Sequence, residues 1–112
     1  MDCLFCKIAA GEIPATPALE TDEFLAFHDI DAQAPLHVLV IPRRHVVNLA
    51  DEAADASLLG DLLETARAVA RKLNLEERGY RVVLNVGGDG GQTVPHLHAH
   101  VLGGRALHWP PG

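Results

Sequence analysis

From His96 to Leu102 the chain reads HLHAHVL, histidine alternating strictly with an apolar residue. Successive side chains of a strand point to opposite faces, whereas on a helix the same positions would scatter around the axis. The pattern therefore predicts a half-buried strand over 96–102. His96, His98 and His100 share one of its faces, and Leu97, Ala99 and Val101 share the other. One histidine on a strand is ordinary. Three on one face mean that this face lines something.

The rest of the chain supplies a sheet for that strand to join. CLFCKIAAGEIPA reads as a short helix ended by Gly11 and Pro14, with Leu4, Phe5 and Ile8 as its apolar stripe. EFLAFHDI and LHVLVIP read as strands over 23–30 and 36–42, the second stopped by Pro42, with AQAP as the turn between them. DASLLGDLLETARAVARKLNL carries Leu58, Leu59, Leu62, Leu63, Ala66, Val69, Ala70 and Leu73 at the three-and-four spacing of one helical face. Asp55 or Ser57 caps its start, and Asn74 falls near its end. YRVVLNV is a further strand over 80–86, and the glycine-rich GGDGGQ leads into the histidine strand. Two strands, a helix and two more strands with short connections predict an α+β fold, an antiparallel sheet with one main helix and a short N-terminal helix. The main helix packs on one face of that sheet, and the histidines belong on the other.

At 112 residues, 48% of them hydrophobic, the chain suits a single domain over 1–112 that folds without disulfides. A net charge of −6 argues against nucleic acid or an anionic membrane surface as partner. It leaves room for a small nucleotide, whose phosphate can be held by backbone N–H groups and histidine. There is no apolar run long enough to span a bilayer, and MDCLFCKIAAGEIPA lacks the basic start and apolar stretch of a signal peptide. A cytoplasmic location is expected, and there Cys3 and Cys6 are expected as thiols or metal ligands.

Two chemistries compete for the histidines. Neighbouring same-face histidines could share a zinc ion, but His96 and His100 lie roughly 14 Å apart by strand rise. No HxHxD or HxxxE continuation supplies a third ligand and a carboxylate base. The alternative is nucleophilic catalysis. A neutral imidazole is a good nucleophile near pH 7 once an acceptor holds its other nitrogen. His98, the middle residue, has a histidine on either side to serve as donor or orienter. A phosphorus centre suits such a site, because GGDGGQT can wrap its backbone around phosphate oxygens.

The motif His-φ-His-φ-His-φ-φ is matched at every position by HLHAHVL, and the chain thereby resembles the histidine triad (HIT) superfamily. GEIPA, LAFHDI, QAP, LVIP, GGQTVPHLHAHVLGG and the terminal HWPPG extend the likeness over nearly the whole chain, towards its nucleotide-binding HINT branch. The resemblance implies a hydrolase that cleaves the P–N bond of purine nucleoside phosphoramidates through a covalent nucleotidyl-histidine and releases AMP or GMP. His98 would be the nucleophile. His100 would orient it through its backbone carbonyl, His96 would contact the phosphate side, and His37 would stand beside the leaving group. Thr93, where the family usually has serine, would bond the bridging nitrogen. Asn85, Gly91 and Gln92 would surround phosphate and ribose, and Asp29 would accept from the ribose hydroxyls. Leu4, Phe5, Ile8, Phe27 and Ile30 would form the purine slot. Pro95 departs from the aromatic residue often found before the triad, and neither it nor Thr93 touches the nucleophile.

Cys3 and Cys6 form a lone CxxC, modest evidence by itself. In several bacterial members of the superfamily such a pair binds a structural zinc with the histidine of IP-x-x-H and the first triad histidine. That resemblance implies a site of Cys3, Cys6, His45 and His96, with no metal required for catalysis. It also implies a homodimer joined through sheet edges, with residues 104–112 as a tail at the interface and Trp109 as a contact. Three other functions stay open: a nucleotide-binding or interaction module, a zinc hydrolase, and a dinucleoside polyphosphate hydrolase. The last tends to carry glutamine just before the final histidine, where Ala99 stands here.

Overall fold

The computed structural model describes residues 2–112. Seven elements follow in order: α1 (Leu4–Ala9), β1 (Pro17–Glu20), β2 (Phe24–His28), β3 (Leu36–Pro42), α2 (Ala56–Lys72), β4 (Tyr80–Val83) and β5 (Ala99–Gly103). The strands form one antiparallel sheet in the order β1-β2-β3-β5-β4. Among the described residues no helix is long and apolar enough to cross a membrane.

Strand periodicity sorts the apolar side chains into two cores, one on each face of the sheet. Phe24, Ala26, Val38, Val40, Ala99 and Val101 pack with Leu58, Leu62, Ala66, Val69 and Ala70 of α2. Leu25, Phe27, Leu39 and Ile41 face the other way, onto Cys3 and Phe5 at the start of α1. β2 and β3 are therefore buried on both sides, and their alternation separates two apolar neighbours rather than core from water. Asp55 caps α2, its carboxylate accepting from the Leu58 N–H at 2.9 Å. Asn74, with φ of 58°, turns the chain out of the helix. Leu62 has no exposed surface, so Leu62→Ala is expected to cost about 2–5 kcal/mol. Urea denaturation would register this as a lower midpoint with unchanged slope.

Four boundaries differ from those predicted. β2 covers Phe24–His28 and not 23–30, so Asp29 and Ile30 follow the strand. β1 was not anticipated: PALE is four residues long, begins with proline and pairs as an irregular edge strand, so no alternating run announces it. β4 stops at Val83, short of Val86, where the chain leaves for the glycine loop. β5 begins at Ala99, not His96. Its last pair with β3 is Val40↔Ala99, and two residues further on Pro42 has no N–H with which to continue the ladder. The Leu97 N–H turns instead to the Val46 carbonyl at 2.6 Å. The histidines still alternate as predicted, but the first two stand on an extended lead-in to the strand. In α2, Leu63 falls at the margin of the apolar stripe and is half exposed.

Candidate active site

His98 projects from the lead-in to β5 on the α1 side of the sheet and is almost fully buried. Its Nδ1 lies 2.7 Å from the His96 carbonyl oxygen. A carbonyl only accepts, so the ring proton sits on Nδ1 and Nε2 keeps its lone pair. Burial holds His98 below the ordinary histidine value of 6.5, opposed by that carbonyl and by the charge of Asp29. The side chain is thus a neutral imidazole of fixed tautomer. The carbonyl that orients it belongs to His96, not His100, because the extended lead-in folds the His98 ring back over the residue two positions earlier.

A second chain of hydrogen bonds fixes His100. The Gln33 N–H donates to His37 Nδ1 at 3.0 Å, which places the His37 ring proton on Nε2. That proton is donated to His100 Nδ1 at 2.9 Å, with an oxygen of Asp29 at 3.5 Å from the same nitrogen. The register permits it: Leu39 faces His100 and His37 faces Leu102, so the two histidines are diagonal neighbours on one face. His100 must then carry its own proton on Nε2, and this buried nitrogen has no partner among the described residues. An unpaired N–H beside a nucleophile is the donor that an anionic oxygen requires.

Burial, reinforced by repulsion from His98 and His37, pushes His100 down to about 4. The unfolded chain, with histidine near 6.5, binds more protons than the folded one between these values. Stability from His100 is therefore complete above pH 6.5 and lost as the pH falls towards about 4. Denaturation series across that window are expected to show a falling midpoint, flattened when His100 is replaced by glutamine.

The cavity beside these groups holds about 340 Å³. Leu4, Phe5 and Ile8 of α1, with Phe27, form an apolar wall, bordered by a fully exposed Ile30, and Asp29, Thr93, His98 and His100 line the polar end. Phe5 meets the His98 ring edge-on with centroids 5.0 Å apart. The Asp29 carboxylate is braced by the Asp31 N–H at 2.9 Å. Ile13, Pro14, Ala15, His28, Asp31, Leu39 and Val94 also line the cavity. Most of these fall in the segments GEIPA, LAFHDI, LVIP and GGQTVPHLHAHVLGG that carry the family likeness, but none was assigned a place at the site. A larger hollow of about 620 Å³ between α2 and the β1–β2 turn is an open groove bearing Asp22, Glu23, Asp61 and Glu64, with no histidine or cysteine in its lining.

Asn85, Gly91 and Gln92 do not line the cavity. Gln92 is occupied within the protein: its Oε1 accepts from Asn48 and from the Gly87 N–H, both at 3.1 Å, and its Nε2 donates to the carbonyls of Val47 and Val94. It ties the glycine loop to residues 47–48. Asn85 lies beside Gly91, whose φ of 83° suits glycine, and a Cβ on Gly90 would stand 2.3 Å from the Val86 oxygen. The loop is shaped by its own packing. Pro95 is exposed and stands outside the site.

His96 faces away from the cavity. Its Nε2–H donates to the Pro42 carbonyl at 2.8 Å, leaving the Nδ1 lone pair aimed at Cys3 Sγ (3.3 Å) and Cys6 Sγ (3.5 Å). His45 Nδ1 is 3.3 Å from Cys6 Sγ, and all four donor atoms lie within 4.8 Å of one another. Ligands at tetrahedral zinc, with bonds of about 2.0–2.3 Å, stand roughly 3.3–3.8 Å apart. The donor set, the spacing and the carbonyl behind His96 all fit that ion. Burial and the neighbouring Cys3 raise the Cys6 thiol above its usual value. Asp29, His37 and His100 also cluster within 4.8 Å. They do not suit a metal, because the Gln33 N–H on Nδ1 obliges His37 Nε2 to keep its proton. The three triad histidines thus take three directions, His96 to the thiols, His98 to the cavity and His100 to His37.

The C-terminal tail is held by Arg105, which donates to the Gln33 carbonyl, and by Arg81 on β4, which donates to that of His108, both at 2.8 Å. Trp109 is left exposed.

The HIT domain family model matches residues 10–107. A HIT-like protein of Synechococcus elongatus is 53% identical over 112 residues, covering 99% of this chain and 97% of that protein. A 14 kDa zinc-binding protein of Brassica juncea is 46% identical over 114 residues, covering 99% of this chain and all of that one (100%). The crystal structure of a HIT family hydrolase from Legionella pneumophila superposes with a TM-score of 0.95 at 51% identity, covering 99% of this chain and 100% of that chain.

Proposed function

The chain belongs to the HIT domain family, and from that premise we propose that it is a nucleoside phosphoramidase of the HINT type, acting on purine nucleotides. The observation that carries the proposal is the pairing of a neutral His98, its Nδ1–H given to the His96 carbonyl, with an unpartnered His100 N–H beside the same cavity. Likeness to a HIT family hydrolase supports hydrolysis as the reaction class.

The His98 Nε2 lone pair attacks the α-phosphorus of the phosphoramidate. A bond forms from this nitrogen to phosphorus while the bond from phosphorus to the leaving nitrogen breaks. The Thr93 hydroxyl bonds the leaving nitrogen, which departs as an amine after a proton reaches it from solvent along that hydroxyl. The His100 N–H donates to the phosphoryl oxygen, with His37 and Gln33 fixing its tautomer. Water then attacks phosphorus and gives a proton to solvent, the P–N bond to His98 breaks with its electron pair returning to Nε2, and the nucleoside monophosphate leaves with the neutral imidazole restored. Asp29 accepts from the ribose hydroxyls and selects ribonucleotides, and Leu4, Phe5, Ile8, Phe27 and Ile30 clamp the base.

Cys3, Cys6, His45 and His96 would hold a structural zinc. With four protein ligands it would supply rigidity rather than a coordination position for phosphate. The zinc-binding relative supports this assignment. The protein works as a cytoplasmic homodimer joined along the free edge of β4, where the tail and Trp109 add surface.

The test is turnover of an adenosine 5′-phosphoramidate bearing a fluorogenic amine, at saturating concentration, with and without EDTA. Turnover that survives the chelator in folded protein is expected. AMP binding without turnover would replace the enzyme by a nucleotide-binding module.

A further inference from the structure

One residue belongs to both halves of this site. The His96 ring has no exposed surface; its Nδ1 faces the two thiols and its Nε2–H is held by Pro42. Its backbone carbonyl is the acceptor that fixes the tautomer of His98. We propose that His96 is a positioning residue through which metal occupancy of the Cys3–Cys6–His45–His96 centre tightens nucleotide binding in the His98 cavity. The proposal rests on the nucleotide reading given above.

A second contact runs the same way. Cys3 caps α1 and Cys6 lies in its first turn, so the metal centre encloses Phe5 in sequence. The buried Phe5 ring meets both His96 and His98 edge-on, at 5.9 and 5.0 Å, and Leu4, Phe5 and Ile8 form the cavity wall. A helix of six residues has little stability of its own and takes its position from what anchors it. Without metal that anchor is the apolar packing of Cys3 and Phe5 on the sheet and a set of sulfur–imidazole contacts of 3.3–3.5 Å, weak as hydrogen bonds. Coordination replaces them with bonds to a common centre, fixing the wall and the His96 backbone together. Because coupling between two binding sites is reciprocal, AMP must tighten zinc binding by the same factor.

The experiment is calorimetric titration of AMP into zinc-loaded and zinc-stripped protein, with ¹⁵N spectra recording the fold and the His98 Nδ1–H resonance. The expected result is a folded stripped protein that binds AMP about tenfold more weakly, a shifted His98 signal, and a matching AMP effect on zinc affinity. His45→Ala, which removes a ligand but leaves His96 and the cavity wall in place, is expected to bind AMP as the stripped protein does. Equal AMP affinity in the two folded states overturns the coupling alone. A stripped protein that is unfolded also overturns it, since the metal then acts on the whole fold and not on His98. Absence of AMP binding in both states overturns the nucleotide reading and the coupling with it.

Discussion

Replacing His98 by alanine is expected to lower phosphoramidate hydrolysis by a factor on the order of 10⁴ or more, while AMP still binds. The loss is this large because no neighbouring group can take over the attack. His100 carries its proton on Nε2, and its Nδ1 lone pair is engaged by His37. His96 has its free lone pair turned to the thiols, away from the cavity. His37 is spent at both nitrogens, on Gln33 and on His100. Removing His98 thus removes the one triad imidazole lone pair turned to the cavity and unengaged within the protein. Single-turnover kinetics would read the loss, and an AMP titration on the same variant would separate it from a collapsed site. Retained single-turnover rates would assign the attack to another group or to water.

The second large effect is on stability. A ligand at a thousand times its dissociation constant, binding the folded chain alone, stabilises by about 4.1 kcal/mol. For a domain of this size that corresponds to a rise of roughly 15 °C in the thermal midpoint. Stripping zinc, or replacing Cys3 by serine, is expected to lower the midpoint by about that amount. Cys3 is buried and caps α1, so its loss reaches the helix as well as the metal. At saturating substrate and below the lowered midpoint, kcat is expected to stay near that of the loaded protein while KM rises. Differential scanning calorimetry with and without chelator measures the first part. An unchanged midpoint in protein shown to have released one zinc per chain would deny the metal a structural role.

The parts of this site that were legible in the sequence are those written in local pattern. The alternation at 96–102 assigns faces correctly even though β5 proper begins at Ala99, because extended backbone alternates whether or not it is paired. The apolar stripe of α2 was legible for a similar reason, periodicity, whereas the grouping of Cys3, Cys6, His45 and His96 followed from the family resemblance. What escaped depends on tertiary backbone. The amide that fixes His37 belongs to Gln33, and the carbonyl that orients His98 belongs to His96; no residue type announces either. Ile13, Pro14 and Ala15 reach the cavity only because the chain leaving α1 passes its mouth. Gln92, a phosphate neighbour by resemblance, spends both ends of its amide on tying its own loop to residues 47–48.

The most direct test of a nucleophilic His98 is to look for the covalent intermediate. Wild-type protein mixed with an adenosine phosphoramidate and acid-quenched within the first turnover is digested and read by mass spectrometry. One adenylyl group on the peptide containing His96, His98 and His100, with fragmentation placing it on His98, is the predicted result. Turnover without any protein-bound adenylyl group, or an adenylyl group carried by another histidine, would contradict it.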